Sequence, residues 1–527
     1  MRTFWQAEVV LGFVILMAGF SGAADRVRTD SGAVEGKRTA DGKVQEFLGI
    51  PYAAAPVGDL RWREPQPPKP WTGVRKTTAF SSHCVQGAIF GDMRFPDPGA
   101  SEDCLYLNVW TPTTSPKAKL PVMVWIYGGG FQAGSTSEPR QDGEFLAHKG
   151  VVVVSMNYRL GIFGFFSHPE LTKESPHYAS GNYGLMDQAA ALQWVKNNIA
   201  AFGGDPSNVT IFGESAGSFS VSAQMASPLS KHLIAQAIGE SGAFFAQTLK
   251  AKTLDQSEAD GVAFGKEIGA NSLAKLRAIP AQALLDDVMK GNAFRFSPNI
   301  DGYFLPATPL EIYSKGEQAH VPLMAGWNRD EGSWQQFFGK QPATRDNFIA
   351  NVKSKYGDQA EAILKLFPAD NEEQMKQSAA RLSTADFIAY GTWKWIELQD
   401  QTADLPVYRY EFDEPPPAAP DAKEPDAGKL AYHSAEIEYV FGTLASKKLP
   451  FTPADYKLSE LMQTYWTNFA KTGNPNGAGL PLWPQYGEND HFQVMHLAAI
   501  PEAKPDDQRA EYLELDKAAE ESRATVK

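Results

Sequence analysis

Gly213-Glu214-Ser215-Ala216-Gly217 sets a serine between glycines two residues away on either side. A β-branched run, Asn208 to Phe212, precedes it, and a helix-forming stretch, Ser218 to Gln224, follows. A tight strand-to-helix turn of this pattern strains the serine backbone and projects its hydroxyl at the carboxyl edge of a sheet. The glycines are expected to leave room for the serine side chain. The chemistry this suits is acyl transfer through a nucleophilic hydroxyl. Such a reaction needs donors for the oxyanion. Tyr127-Gly128-Gly129-Gly130-Phe131 follows an apolar run, so backbone N–H groups can be exposed with no side chain in the way. Gly129 and Gly130, with the N–H of Ala216, are assigned that part. No Gly-Lys-Ser/Thr follows the glycines, so this is not a phosphate loop.

The serine proton needs a base, and imidazole is suited to that near neutral pH. In the strand–turn–helix setting the chain order is serine, acid, histidine. Of nine histidines, His320, His433, His491 and His496 come late enough. His320 reads as part of an apolar strand, and His491 and His496 lie in a polar segment. His433 follows a Pro-rich loop, a position that fits a base; the residues alone leave the choice open. The acid is sought in Gly326-Trp327-Asn328-Arg329-Asp330-Glu331-Gly332, after a strand-like run. Asp330 and Glu331 are both candidates, and either could instead cap a helix.

These groups need a rigid support. Leu120–Tyr127, Val151–Asn157, Asn208–Phe212 and His320–Trp327 are continuous apolar runs, as in strands covered on both faces. Tyr183–Ile199 carries apolar residues at helical spacing. Alternating strands and helices give an α/β architecture. Residues 249–304 and 341–401 read as helical insertions forming a lid or wall. Glu414–Pro425 reads as an exposed Pro-rich loop, and Asp506–Lys527 as a surface helix. His168-Pro169-Glu170 has no third metal ligand nearby and reads as loop.

The chain has 527 residues, 43% of them hydrophobic, which suits a folded protein. Its net charge of −13 comes without a dense basic cluster, which excludes nucleic acid as the expected partner. Arg2, the apolar run Val9–Phe20 and Ser21-Gly22-Ala23-Ala24 read as a signal peptide over residues 1–24. Residues 25–527 are then one domain, exported to the cell exterior or periplasm, with no later segment suited to spanning a membrane. In an oxidising compartment the two cysteines, Cys84 and Cys104, are expected to pair.

FGGDPSNVTIFGESAG (Phe202–Gly217) resembles the serine signature of type-B carboxylesterases, and EDCLYLNVWTP (Glu102–Pro112) their second signature. FLGIPYAAAPVGDLRW, NRDEGSW, HSAEIEYVFG and YWTNFAKTGNPN extend the likeness from about Phe47 to Trp483. The resemblance implies an α/β-hydrolase fold with a mostly parallel central sheet flanked by helices. It also implies hydrolysis of carboxylic esters by Ser215, Glu331 and His433, choosing Glu331 over Asp330 and His433 over the other histidines. No cofactor or metal is implied, and the partner is a small-molecule ester. Many members carry His where Tyr127 stands, a change that leaves the backbone donors unaffected. Adhesion proteins such as neuroligins resemble this family without catalysis, and lactones, thioesters or amides are related substrates.

Cholinesterases hold the substrate's quaternary ammonium on a Trp in the disulfide loop, by cation–π attraction. Counted back from Cys104, Arg94 stands there. Turned inward it would repel a cation, against the pull of Glu214; turned outward it has no role. Phe294 and Phe296 resemble an aromatic wall around the acyl group. Neutral or anionic esters are therefore expected in preference to choline esters.

Overall fold

The computed structural model describes residues 25–245, 248–423 and 426–525. The signal peptide expected over 1–24 lies outside the described residues. The frame is an eleven-stranded sheet. Its strands, in chain order, are β1 (Lys37–Arg38), β2 (Gln45–Pro51), β3 (Tyr106–Thr111), β4 (Leu120–Ile126), β5 (Val152–Met156) and β6 (Gly204–Glu214). They continue as β7 (Gln236–Glu240), β8 (Leu323–Asn328), β9 (Val407–Phe412), β10 (Gln493–Leu497) and β11 (Glu502–Pro505). The spatial order is β11-β10-β9-β8-β7-β6-β4-β5-β3-β2-β1. From β10 to β5 every pairing is parallel, and the pairings outside that block are antiparallel.

The apolar runs explain the middle of this order. Every residue of β5 is buried, as is every residue of β8. A strand with no wet face must be covered on both sides, and the helices α2 (Tyr183–Asn198) and α3 (Ala216–Ala226) belong to that cover. A shorter helix, α1 (Glu144–His148), lies between β4 and β5 in the chain. The expected insertions are helical: 254–267, 273–278 and 281–289 in the first, and 345–356, 360–366, 372–384 and 390–403 in the second.

Three expectations need correction. His320 is not in a strand: β8 begins at Leu323, and His320 is exposed, its Nε2 2.8 Å from the carbonyl of Gly316. The loop after β9 is exposed only from residue 420; Glu414 is half-buried and Pro416 is buried, because this stretch lies against the protein. His168 is not simply loop, since its Nδ1 caps the helix Pro169–Glu174 by accepting from the amide of Glu170 at 3.2 Å. The strands β7, β9 and β10 had no long apolar run to announce them. Glu240, Arg409, Glu411 and His496 interrupt their hydrophobicity.

Cys84 and Cys104 form a disulfide with a sequence separation of 20, as expected. Closing a loop of that length is worth about 3 kcal/mol on the chain-entropy model. The double variant Cys84→Ser/Cys104→Ser should therefore unfold at a lower urea concentration. Equal midpoints for variant and wild type would show that the clasp contributes nothing to stability.

Candidate active site

Ser215 stands between β6 and α3 at φ 56° and ψ −125°, a left-handed conformation that costs a non-glycine residue about 1–3 kcal/mol. Its amide donates to the carbonyl of Glu240 at 2.8 Å, carrying the β6–β7 ladder one residue past the strand end. The glycines on either side also meet β4. A Cβ on Gly217 would lie 1.9 Å from the Ile126 carbonyl oxygen, and one on Gly213 would lie 2.6 Å from the same atom. They let the turn close onto β4.

His433 Nε2 lies 2.9 Å from Ser215 Oγ, and His433 Nδ1 lies 3.1 Å from Glu331 Oε2. Glu331 follows β8 and is buried. Its Oε1 accepts from the amide of Asn328 at 2.7 Å and from the hydroxyl of Ser241. Two donors on one oxygen leave the other free for the imidazole. The edge of the His433 ring meets Phe387, with centroids 4.9 Å apart.

Asp330 has a different task. Its Oδ2 accepts from the amide of Ala431 at 2.9 Å and from Arg329 Nη2 at 2.8 Å, while its own amide donates to the Ala431 carbonyl at 3.0 Å. It staples the acid loop to the histidine loop. His491 is exposed, and His496 Nδ1 pairs with Asp413 at 2.7 Å, so neither reaches Ser215.

The glycine strap lies against this constellation. A Cβ on Gly128 would be 2.9 Å from the Ser215 Cβ, and Gly129 and Gly130 both have positive φ, 99° and 62°. The strap's entry is pinned by Tyr158, whose hydroxyl donates to the Tyr127 carbonyl at 2.8 Å while the two rings stack at 4.5 Å. Around the strap, Met93 approaches Gly129 and Phe294 approaches Gly130. One of the expected pocket residues lies elsewhere. Phe296 is buried in the core between Phe166 and Phe264, and Arg94 is exposed to solvent.

Sequence reasoning missed several supporting groups. Ser241, at φ 57°, follows β7, which carried no clear strand signal. Asn328 Nδ2 donates to Glu436, fixing the segment after His433. In the disulfide loop, the Asp97 carboxylate accepts from Ser135 at 3.0 Å and Ser137 at 2.7 Å and lies 2.7 Å from His83 Nδ1. These contacts join residues far apart in the chain, and no local pattern signals them.

The electrostatics are dominated by carboxylates. Burial alone would push His433 down, but Glu214, whose Oε1 is 3.3 Å from Nε2, and Glu331 outweigh it and hold the imidazole up at about 9. Glu214 is itself raised to about 7, because burial costs more than His433 and Arg140 return.

An activated serine, an imidazole held by a buried carboxylate and a positive-φ glycine strap on an α/β sheet define a serine hydrolase of the α/β-hydrolase fold. The carboxylesterase family model matches residues 23–515. Fumonisin B1 esterase of Sphingopyxis macrogoltabida is 39% identical over 482 residues, covering 87% of this chain and 84% of that protein. Para-nitrobenzyl esterase of Bacillus subtilis (strain 168) is 39% identical over 481 residues, covering 88% and 92%. A solved PNB esterase structure superposes with a TM-score of 0.79 at 35% identity, covering 94% of this chain and 99% of that one. This chain belongs to the carboxylesterase family. It is a serine carboxylic ester hydrolase.

Neutral imidazole can accept a hydroxyl proton and imidazolium cannot, so a base role for His433 predicts activity that rises as pH climbs through its transition. Glu214→Gln removes one of the charges that hold this pKa up. The acid limb of the kcat/KM profile should move to lower pH in that variant. An unmoved or upward-shifted limb would mean that Glu214 does not set the histidine's protonation.

Proposed function

We propose that Ser215 is the nucleophile, His433 the general base and acid, and Glu331 the group that orients the imidazole and balances its charge. The observation that carries this reading is the unbroken chain from Glu331 through His433 to Ser215 Oγ, at 3.1 and 2.9 Å. His433 takes the hydroxyl proton as Oγ attacks the ester carbonyl. The oxyanion settles against the N–H groups of Gly129, Gly130 and Ala216. His433 then gives its proton to the departing alcohol, leaving an acyl-enzyme. Water attacks the acyl-enzyme with His433 again as base; His433 then returns the proton to Ser215 Oγ as its bond to the acyl carbon breaks, and the carboxylic acid leaves.

The substrates in this reading are neutral or anionic carboxylic esters rather than choline esters. Glu214 lies against the strap and the imidazole, and the other side chains there, Met93, Phe294 and Phe387, are apolar. The position where cholinesterases carry their cation-binding Trp is Arg94, which has no such ring. The reading also includes export, with residues 1–24 as the signal. The Cys84–Cys104 bond supports that, since disulfides persist in oxidising compartments.

Ser215→Ala should fold normally and lose on the order of 10⁶ in kcat, because triad members act as a unit. Glu331→Gln should lose several orders of magnitude, and Asp330→Asn much less, since Asp330 acts only on the loops. Substantial turnover by Ser215→Ala, or the reverse ranking of the two acids, would contradict the assignment. For specificity, kcat/KM should be lower for butyrylcholine than for a neutral butyrate ester of similar size. Arg94→Ala should leave that ratio unchanged, because the side chain faces solvent. A wild-type preference for the choline ester would refute the substrate reading.

A further inference from the structure

Arg140 sits in the short turn Pro139–Gln141, between the glycine strap and α1 in the chain. The turn is anchored on both sides. The Arg140 carbonyl accepts from Thr443 Oγ1 at 2.7 Å, and the Gln141 side chain accepts from Trp125 Nε1 at 2.9 Å. From there the guanidinium reaches two loops of the site. Its Nη1 is 3.7 Å from Asp92 Oδ2 in the disulfide loop and 3.5 Å from Ser434 Oγ. Asp92 precedes Met93, which approaches Gly129, and Ser434 follows His433. Arg140 is nonetheless only 8% exposed.

The donors of this buried guanidinium are poorly used. Glu138 Oε1 lies 2.9 Å from Nε, but the pair is not aligned for a hydrogen bond, and Nε has no other acceptor. Nη1 has the long contact to Ser434, and Nη2 makes no hydrogen bond among the described residues. The other buried arginines differ. Arg61 donates to both oxygens of Glu102 at 2.6 Å and to the Ile279 carbonyl at 2.7 Å. Arg159 spans both oxygens of Asp187 at 2.8 and 2.7 Å and reaches the Arg63 carbonyl. Arg409 pairs with Asp506 and lies 4.3 Å from the Trp327 ring. Buried N–H groups without acceptors are costly, and folded interiors rarely keep them. Arg140 is the one such arginine that touches the loops of the site, and its free donors call for an acceptor brought by a ligand.

We propose that Arg140 forms an anion subsite that recognises a free carboxylate on the ester substrate. The inference rests on the reading of this site as acting on neutral or anionic esters, and it narrows that reading to esters that carry a carboxylate. The planar guanidinium fork matches a carboxylate's two oxygens, a fit that an uncharged chain cannot offer. Burial works against the charge on Arg140, but Glu138, Glu438, Glu214 and Asp92 outweigh it and keep the group protonated. Those acids do not close the subsite. Glu438 is paired with Lys447 at 2.8 Å, and burial raises Glu138 to about 7. The Asp92 side chain is 66% exposed and can turn into water.

The test compares kcat/KM within two pairs of esters. Monobutyl glutarate, with its carboxylate on the acyl side, is set against butyl pentanoate. The butyrate ester of ω-hydroxypentanoate, with its carboxylate on the alcohol side, is set against pentyl butyrate. Wild type should favour the charged member of one pair about tenfold, mainly through KM, and that pair shows which side of the ester reaches Arg140. Arg140→Gln should erase the preference. Arg140→Lys should keep part of it, because an ammonium retains the charge without the fork. Circular dichroism and turnover of pentyl butyrate check that the variants fold. A wild type that favours neither charged ester, while still preferring pentyl butyrate to butyrylcholine, would overturn the subsite alone, whatever the variants do. A preference that persists in Arg140→Gln would do the same. A wild-type preference for butyrylcholine would instead sink the substrate reading on which the subsite rests.

Discussion

The parallel ladder across β6, β7 and β8 is the interaction on which the rest of the structure depends. Its register sets Glu214 beside Glu240 and Glu240 beside Gly326. Hydrogen bonding continues past the strand ends, from the Ser215 amide to the Glu240 carbonyl and from the Ser241 amide to the Gly326 carbonyl. Three loops thus leave the sheet at one level. One carries Ser215, the next Ser241, and the third Asn328 and Glu331. The strained serine is affordable because these backbone bonds, together with the close approach of Gly217 to β4, fix its position from several sides.

With the ends level, the acid can be held in the dry interior. A buried carboxylate is costly unless its oxygens have partners. Glu331 has the Asn328 amide and Ser241 on one oxygen and His433 on the other. Asp330, its neighbour, performs no chemistry in this arrangement but joins the loop after β8 to the loop carrying His433. Adjacent carboxylates thus have different partners: Glu331 meets the imidazole of His433, and Asp330 meets the backbone of Ala431.

Further carboxyls crowd the same region. Glu240 is buried, raised to about 8, with one oxygen accepting from Trp466 Nε1 at 2.7 Å. Glu436 is raised well above the usual carboxylate range by its burial and by the neighbouring acids. Burial thus favours the protonated forms of Glu240 and Glu436 over their carboxylates. In the proposed mechanism the carboxyl groups of Glu331 and Glu214, 3.1 and 3.3 Å from the two ring nitrogens of His433, favour the imidazolium formed when Ser215 gives up its proton. Stabilising that ion pair helps the reaction, and the same field raises the pH at which the free imidazole becomes available.

The sequence by itself determined the serine, its glycines, the oxyanion strap, the α/β alternation and the reach of the family signatures. Each is local: a strand, a turn and a helix within a few residues of one another carry their own steric logic. It left Asp330 against Glu331, and four histidines against one another, unresolved by residue type, and only the likeness to relatives chose between them. Tertiary structure decided which of these groups meet, through contacts spanning 102 residues from Glu331 to His433 and 218 from Ser215 to His433. It also turned Arg94 to solvent, put Phe296 into the core and revealed Ser241 and Asn328 beneath the acid. Such roles depend on which strand ends the sheet register brings together, and a one-dimensional pattern does not encode that register where strands such as β7 carry glutamate instead of an unbroken apolar run.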